Sequence, residues 1–266
     1  KNNERGAWAN MIQNTFSILN GIGVKLERRL WENGILTWKD FIDTPKMHFI
    51  NSDKKAIFDN SLCSSLQELK NSNARYFAGT VKRKEHWRLF DKFKGEAVCL
   101  DIETSGLMPE KGGYVTMVGM YDGCDYKCFV RGNGLSPENL NKELSGYKYL
   151  ITFYGAVFDI PFLFRSMPGL KFDIPHFDIC FGSRKLGFQG GLKKLESSMG
   201  VERDEAVKGM DGYDAVKLWG YAQNGSSEAL DLLKLYNRED TVNLFSIAEV
   251  IYQRLRAQTG IEEYLR

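Results

Sequence analysis

Residues 97–104 read Ala97-Val98-Cys99-Leu100-Asp101-Ile102-Glu103-Thr104, an apolar run that leads into a small-residue turn and carries two acidic residues near its end. Strand side chains alternate between the two faces of a sheet, so Asp101 and Glu103 point the same way, with Cα atoms about 6.6 Å apart. Two such charges at about 4 Å repel by roughly 4 kcal/mol at an effective dielectric of about 20, so we expect a positive partner between them. A hard divalent cation fits this position.

The composition predicts a soluble globular protein. The chain has 266 residues, of which 43% are apolar and 13% aromatic, too apolar for a disordered chain. No apolar run approaches the ~20 residues of a membrane span, and the first residues do not lead into a signal-peptide core, so neither membrane nor secretion is expected. Five scattered cysteines favour reduced thiols and a cytoplasmic location over a disulfide framework.

Charge is unevenly distributed along the chain. Residues 1–90 carry 15 Lys or Arg against 9 Asp or Glu, and the remainder carries 21 against 25. A basic front segment joined to an acidic remainder suits a protein that attracts a polyanion with one part and collects cations with the other. An ordinary solvated surface explains the charges almost as well.

The pattern of apolar residues predicts a small all-helical domain over residues 1–90 and an α/β domain over 91–266. Four strands are expected in the second domain, at 97–103, 114–121, 126–131 and 149–153. Gly112-Gly113 and Asp122-Gly123 supply turn residues between the first three strands, which should form an antiparallel meander. From residue 159 onward the pattern is helical, and it ends in a long helix over about 228–256.

The last helix carries an acidic residue on an apolar stripe. Asp240 lies in one helical stripe with Leu233, Tyr236, Leu244, Ile247 and Ile251. A buried carboxylate has to be paired, hydrogen-bonded, protonated or bound to metal. The simpler alternative is an ion pair between Asp240 and an Arg or Lys, with Tyr236 as an ordinary core residue.

Asp159 follows the predicted strand at 149–153 and precedes Ile160 and Pro161. An Asp at this place is typical of a plain helix N-cap, and that alternative stays open. The end of a strand is also where α/β folds place groups that face a ligand.

Three motifs in this order, Asp101-Ile102-Glu103, Phe158-Asp159 and Tyr236-Asn237-Arg238-Glu239-Asp240, resemble those of the DEDD superfamily of 3′ to 5′ exonucleases, the DnaQ-like branch of the ribonuclease H-like fold. The Tyr four residues before the last Asp resembles the tyrosine subclass. The strings Thr152 to Leu163 and Gly190 to Glu196 are similar to YprB-like ribonuclease H-like domains. The resemblance covers residues 95–256 and implies a mixed sheet flanked by helices.

The resemblance also implies roles for these residues. Asp101, Glu103 and Asp240 would hold one Mg²⁺ or Mn²⁺, and Asp101 would bridge to a second ion with help from Asp159. Tyr236 would orient the attacking water. Two such ions activate a water on one side of a phosphodiester and stabilise the leaving oxygen on the other.

Substrate contacts are implied at two places. Thr104 and Leu107 resemble the segment that receives the terminal nucleotide. Tyr154 stands where the family usually has Asn, which puts the handling of substrate in question more than the chemistry.

The front segment contains Gly21-Ile22-Gly23 before an amphipathic helix, and it looks like the hairpin of a helix-hairpin-helix DNA-binding motif. Gly21 and Gly23 would let backbone N–H groups approach a phosphate, with Lys25 and Arg28 nearby. The alternative is a tight interhelical turn in which Ile22 fills the core.

We therefore expect a metal-dependent 3′ to 5′ exonuclease that acts on nucleic acid, with DNA favoured. The alternatives are a catalytically weak or inactive nucleic-acid-binding or scaffolding module of the same fold, and an RNA-trimming or structure-selective nuclease. The metal interpretation requires that Asp240 lies within coordination reach of Asp101 and that no arginine fills the space between them.

Overall fold

The computed structural model describes residues 10–265, and its centre is a five-stranded sheet in the order β3-β2-β1-β4-β5. The strands are β1 (Ala97–Thr104), β2 (Val115–Tyr121), β3 (Tyr126–Val130), β4 (Tyr149–Thr152) and β5 (His176–Asp178). β1 pairs antiparallel with β2, as β2 does with β3, which confirms the predicted meander. β4 and β5 add parallel strands on the other side of β1.

The described residues contain eleven α-helices. Five precede the sheet: α1 (Val24–Glu32), α2 (Trp38–Asp43), α3 (Ser52–Lys70), α4 (Ala74–Thr80) and α5 (Phe90–Phe93). The other six are α6 (Pro137–Leu144), α7 (Asp159–Ser166), α8 (Ile179–Lys185), α9 (Leu192–Ser198), α10 (Gly212–Gln223) and α11 (Ser227–Thr259). The mixed sheet, its flanking helices and the helical front region confirm the predicted fold class, a ribonuclease H-like α/β fold.

The central strand β1 has the predicted alternation. Val98, Leu100 and Ile102 belong to one buried cluster, while Cys99 faces a second cluster on the opposite side of the sheet. This places Asp101 and Glu103 on the second face, which α11 covers. The sheet therefore delivers both carboxylates toward one helix.

One strand was not predicted. His176–Asp178 forms β5, where a helical pattern was expected. Three residues are too few for an alternating pattern to be read, and the strand exists because its backbone pairs with β4, a contact that sequence periodicity does not encode.

The front helices share a hydrophobic core with the sheet. Trp38 and Phe41 are fully buried, and they belong to the same cluster as Cys99 and Tyr149. The Tyr149 hydroxyl donates to the backbone oxygen of His86 at 2.7 Å. A domain division near residue 90 stays a prediction.

Arg88 is not part of a basic surface. Its side chain is 4% exposed, and its guanidinium forms ion pairs with Glu27 at 3.0 Å and Glu85 at 2.8 Å. Arg88 therefore does not extend the basic run Lys82-Arg83-Lys84, either along a nucleic-acid strand or along a solvated helix face. Within residues 10–265, no helix has the length and apolarity needed to span a membrane.

Candidate active site

Three of the sequence-predicted carboxylates meet between β1 and α11. One oxygen from each of Asp101, Glu103 and Asp240 lies within 4.8 Å of the other two. The first two come from the same face of β1, and the third comes from α11, which packs against that face. Hard carboxylate oxygens at this spacing are the ligand type that Mg²⁺ and Mn²⁺ take in proteins.

Asp159 lies directly behind this group. Asp159 is the first residue of α7. Phe158 occupies the N-cap position before it, and the Phe158 side chain forms no capping hydrogen bond. The Asp159 Oδ1 instead accepts a hydrogen bond from the backbone N–H of Ile102 at 3.2 Å. The N-cap alternative is therefore wrong, and the carboxylate is fixed beside the strand residue that separates Asp101 from Glu103.

The electrostatics of the group are unfavourable without a cation. Burial, and then the charge of Asp240, raise the pKa of Asp101 well above its ordinary value. The same two causes raise the pKa of Glu103 to about 8, and burial raises that of Asp159 to about 7. Ionised carboxylates crowded in a low-dielectric site repel one another, so a bound cation would stabilise the charged forms.

Asn237 was not predicted as a site residue. Its Nδ2 donates to Asp101 Oδ2 at 2.9 Å and to Glu103 Oε1 at 3.3 Å, and its Oδ1 accepts from the Tyr126 hydroxyl at 2.8 Å. Because this amide links both acidic side chains of β1, it fixes their separation. The available signal was an Asn next to Tyr236 in a buried stretch of the last helix.

Arg203 was also missed, and it contacts Asp240. Its guanidinium makes a two-point ion pair with Glu196, at 2.7 and 2.8 Å, and Nη2 also donates to Asp240 Oδ1. The expected alternative of an ion pair from Asp240 to an arginine is therefore present. Among the described residues, Asp101 and Glu103 form no ion pair, although the charge of Arg203 acts to lower the pKa of Asp101. Arg203 therefore borders the carboxylate group at Asp240.

Tyr236 lies one turn before Asp240 on α11 and is 4% exposed. Its hydroxyl accepts a hydrogen bond from Lys193 Nζ at 3.0 Å, and the same ammonium donates to the backbone oxygen of Met210. Burial, and then the charges of Asp240 and Glu103, raise the pKa of Tyr236. The hydroxyl therefore stays protonated near the acidic group.

The three predicted substrate residues belong to the end of β1 and to two loops, and their contact with substrate stays a prediction. Thr104 ends β1, where its hydroxyl accepts from Gly106 N–H at 3.3 Å, and Leu107 is 53% exposed just beyond it. Tyr154 has a φ of +64°, in the left-handed region. Asn tolerates that conformation better than most residues, which gives a backbone reason for the Asn expected there.

His176 and Asp178 flank the same loop. The carboxylate of Asp178 accepts from the backbone N–H groups of Tyr154 and Ala156, both at 2.9 Å. His176 Nε2 lies 2.8 Å from the Thr152 hydroxyl. Both residues therefore fix the backbone between β4 and α7.

The front hairpin is far in sequence from Asp101, Glu103 and Asp240. Gly21 has a φ of +93°, Gly23 caps α1, and Ile22 is 1% exposed in the core, as the interhelical-turn alternative expected. Lys25 and Arg28 are exposed on α1. Binding of nucleic acid by these residues stays a prediction.

The solved structures that resemble this chain include two nucleases. One is described as the apo form of the nuclease, with 26% identity and a TM-score of 0.48, over 66% of this chain and 80% of that one. The other is NrnC of Brucella melitensis bound to pGG, with 23% identity and a TM-score of 0.47, over 66% of this chain and 81% of that one. No curated protein matches the sequence.

A family model gives a wider match. It is described as RNase_H_2 of the RNase_H superfamily, and it matches residues 98–252. The matched range is more than half of the chain and contains Asp101, Glu103, Asp159 and Asp240. The chain belongs to the RNase H superfamily.

Proposed function

We propose that the protein is a metal-dependent nuclease that removes nucleotides from the 3′ ends of nucleic acid, with DNA as the favoured substrate. The observation that carries the proposal is the meeting of Asp101, Glu103 and Asp240 oxygens within 4.8 Å. These residues are remote in sequence, and bringing three carboxylates together is costly unless the site has a use for them.

The donor set fits Mg²⁺ or Mn²⁺. All its members are hard oxygens. Among the described residues, Asp240 and Glu196 pair with Arg203, while Asp101, Glu103 and Asp159 form no ion pair. A pair of bound divalent ions would activate a water and stabilise the leaving oxygen of a phosphodiester. Asp101, Glu103 and Asp240 would hold these ions, with Asp159 assisting.

The remaining residues of the site position these ligands. Asn237 fixes the spacing of Asp101 and Glu103 through its two donated hydrogen bonds. The Tyr236 hydroxyl accepts from Lys193, which leaves its own O–H as the donor that would orient the attacking water. Thr104 and Leu107, at the exposed end of β1, would receive the terminal nucleotide.

The direct test uses single strands labelled at the 3′ or the 5′ end. Incubation with Mg²⁺ or Mn²⁺ should release the 3′ label first as a mononucleotide and shorten the 5′-labelled strand stepwise, and EDTA should stop both. Matched RNA, DNA and branched substrates separate exonuclease action on DNA from RNA trimming and structure-selective cleavage. Cleavage that survives EDTA would contradict the proposal.

A second candidate is a nucleic-acid-binding module of the same fold without turnover. The ion pair of Arg203 with Asp240 favours it, because that contact uses one oxygen of a predicted metal ligand. Tight binding of labelled strands, without cleavage under either ion, would support this candidate. The five cysteines are free thiols, which supports a proposed cytoplasmic location for either function.

A further inference from the structure

Three exposed side chains form a surface that we call the aromatic platform: Tyr154, Phe181 and Arg184. The two rings have centroids 6.2 Å apart and planes inclined by 32°. The guanidinium carbon of Arg184 lies 5.6 Å from each ring centroid. Tyr154 is 38% exposed and Phe181 is 41% exposed, so two large rings and a cation face solvent together.

The cation of the platform is unused within the protein. In the part of the chain that the structure describes, the Arg184 side chain forms neither an ion pair nor a hydrogen bond. A planar guanidinium on aromatic rings matches both a phosphate, through its fork of N–H donors, and a stacked base, through its flat face.

The backbone that carries Tyr154 is held in an unfavourable conformation. Its φ of +64° is uncommon for a residue other than glycine. Asp178 holds this conformation by accepting from the N–H groups of Tyr154 and Ala156, both at 2.9 Å. Thr152 accepts from Gly155 N–H at 3.2 Å, and a side chain at Gly155 would overlap Thr152. Strain that neighbouring groups maintain in this way is typical of functional loops.

One tight turn of the backbone separates Tyr154 of the platform from Asp159 of the acidic group. The N–H groups of Val157 and Phe158 both donate to the backbone oxygen of Tyr154 at 3.1 Å, which closes the turn that leads directly into Asp159. Asp159 in turn accepts from Ile102 N–H on β1. Tyr154 therefore lies five residues before Asp159, at the start of the turn that ends beside β1.

From this geometry, and resting on the proposed function, we infer that the aromatic platform stacks an unpaired base of the strand being cleaved, while Arg184 contacts a phosphate of that strand. Every base has an aromatic face, so such stacking is tolerant of sequence. Bases inside a duplex are already stacked on their neighbours, so the platform selects single-stranded ends. Its positive charge complements the polyanion.

The test combines the removal of one base with the removal of one ring. Labelled single-stranded DNA of about ten nucleotides, carrying an abasic site at each position in turn, is bound to the full chain in EDTA and followed by fluorescence anisotropy. One abasic position should weaken binding to the unchanged protein by roughly 5- to 100-fold. Phe181→Ala should bind the intact strand more weakly and lose its sensitivity at that same position.

Three further variants separate stacking from folding. Phe164 is a matched control, because its ring is 46% exposed and packs on Phe172 at 5.5 Å without a guanidinium. Phe164→Ala should keep the abasic sensitivity. Tyr154→Gly removes a ring and relieves the backbone strain, so binding should weaken while the melting temperature does not fall. Arg184→Lys keeps the charge but not the planar group. Its affinity for the intact strand should lie between those of the unchanged protein and Phe181→Ala.

The outcomes distinguish the platform from the nuclease proposal. Abasic sensitivity that persists in Phe181→Ala, or its absence at every position in the unchanged protein, overturns the platform even if the protein cleaves DNA. Loss of sensitivity to one abasic position in Phe181→Ala supports the platform, whether or not the protein cleaves DNA. Absence of cleavage with Mg²⁺ and with Mn²⁺ would overturn only the nuclease proposal. Failure to bind any single strand also overturns the platform.

Discussion

Arg203 donates a hydrogen bond to one oxygen of Asp240 while a two-point ion pair with Glu196 holds the rest of its guanidinium. Glu196 is held in turn by Asn243 Nδ2 at 3.0 Å. The arginine therefore orients Asp240. In the described part of the chain it forms no hydrogen bond or ion pair with Asp101 or Glu103.

Arg203→Met should destabilise the protein by about 3–5 kcal/mol, because it leaves two nearly buried carboxylates without their cation. Urea unfolding in EDTA measures this loss. Arg203→Lys should lose less stability than Arg203→Met, since lysine keeps the charge but not the two-point geometry. Lys208→Met is the control, because it removes an exposed ion pair with Glu205 and should have little measurable effect. A similarly small loss of stability in Arg203→Met would show that Arg203 does not hold Asp240 and Glu196 in place.

Stability should depend on pH in a direction set by the raised carboxyl pKa values. Glu103, with a pKa of about 8 in the folded state, keeps a proton that the unfolded chain releases near pH ~4. Stability in EDTA therefore falls as pH rises between these values, by up to about 1.4 kcal/mol per pH unit for this group.

Glu103→Gln provides the comparison for this effect, because it keeps the shape and removes the titration. The difference in unfolding free energy between variant and unchanged protein should grow with pH, in favour of the variant. Saturating Mn²⁺ should remove the trend, since a bound ion keeps the carboxylate deprotonated. A difference that shrinks as pH rises in EDTA would count against the electrostatic account of the site.

Gly119 sets how closely α11 approaches the sheet. It pairs with Asp101 in the β1–β2 register, and a side chain there would overlap Asn237 and Thr241. Gly119→Ala should cost about 1–3 kcal/mol of stability and should reduce cleavage, because Asn237 is displaced from both acidic residues of β1.

Gly79→Ala is the matched control for Gly119→Ala. Gly79 lies within α4 and has open space around its Cα, so the change should leave cleavage intact and stabilise the helix by up to about 1 kcal/mol. Equal cleavage by Gly119→Ala and Gly79→Ala would show that the position of Asn237 does not matter.

Tyr236→Phe should lower kcat by about 10²-fold with little change in KM, because it removes a hydroxyl that positions the attacking water and leaves the ring in place. Steady-state cleavage of a labelled strand measures both constants. Tyr252→Phe is the control, since Tyr252 is a buried tyrosine of the same helix whose hydroxyl accepts from Arg256. Full turnover in Tyr236→Phe would remove this residue from the mechanism.

The antiparallel meander of β1, β2 and β3 was predictable because alternation of apolar residues and turn residues are both local signals. The pairing of β4 with β1 was not predicted. Asp101, Glu103 and Asp240 were predictable because acidic residues on buried faces stand out against their neighbours. β5 was missed because three residues hold no readable period. The contacts of Arg203 and Asn237 were missed because they join residues 37 and 136 positions apart, which no local pattern encodes.

The central claim is that carboxylates distant in the chain form one pocket that binds divalent ions. Calorimetric titration of the metal-free protein with Mn²⁺ tests it most directly, alongside Asp101→Asn and, as a control, Asp53→Asn in the exposed first turn of α3. We predict saturable binding by the unchanged protein and the control, and its loss in Asp101→Asn with the fold retained. Equal binding by all three proteins, or none by the folded unchanged protein, would contradict the claim.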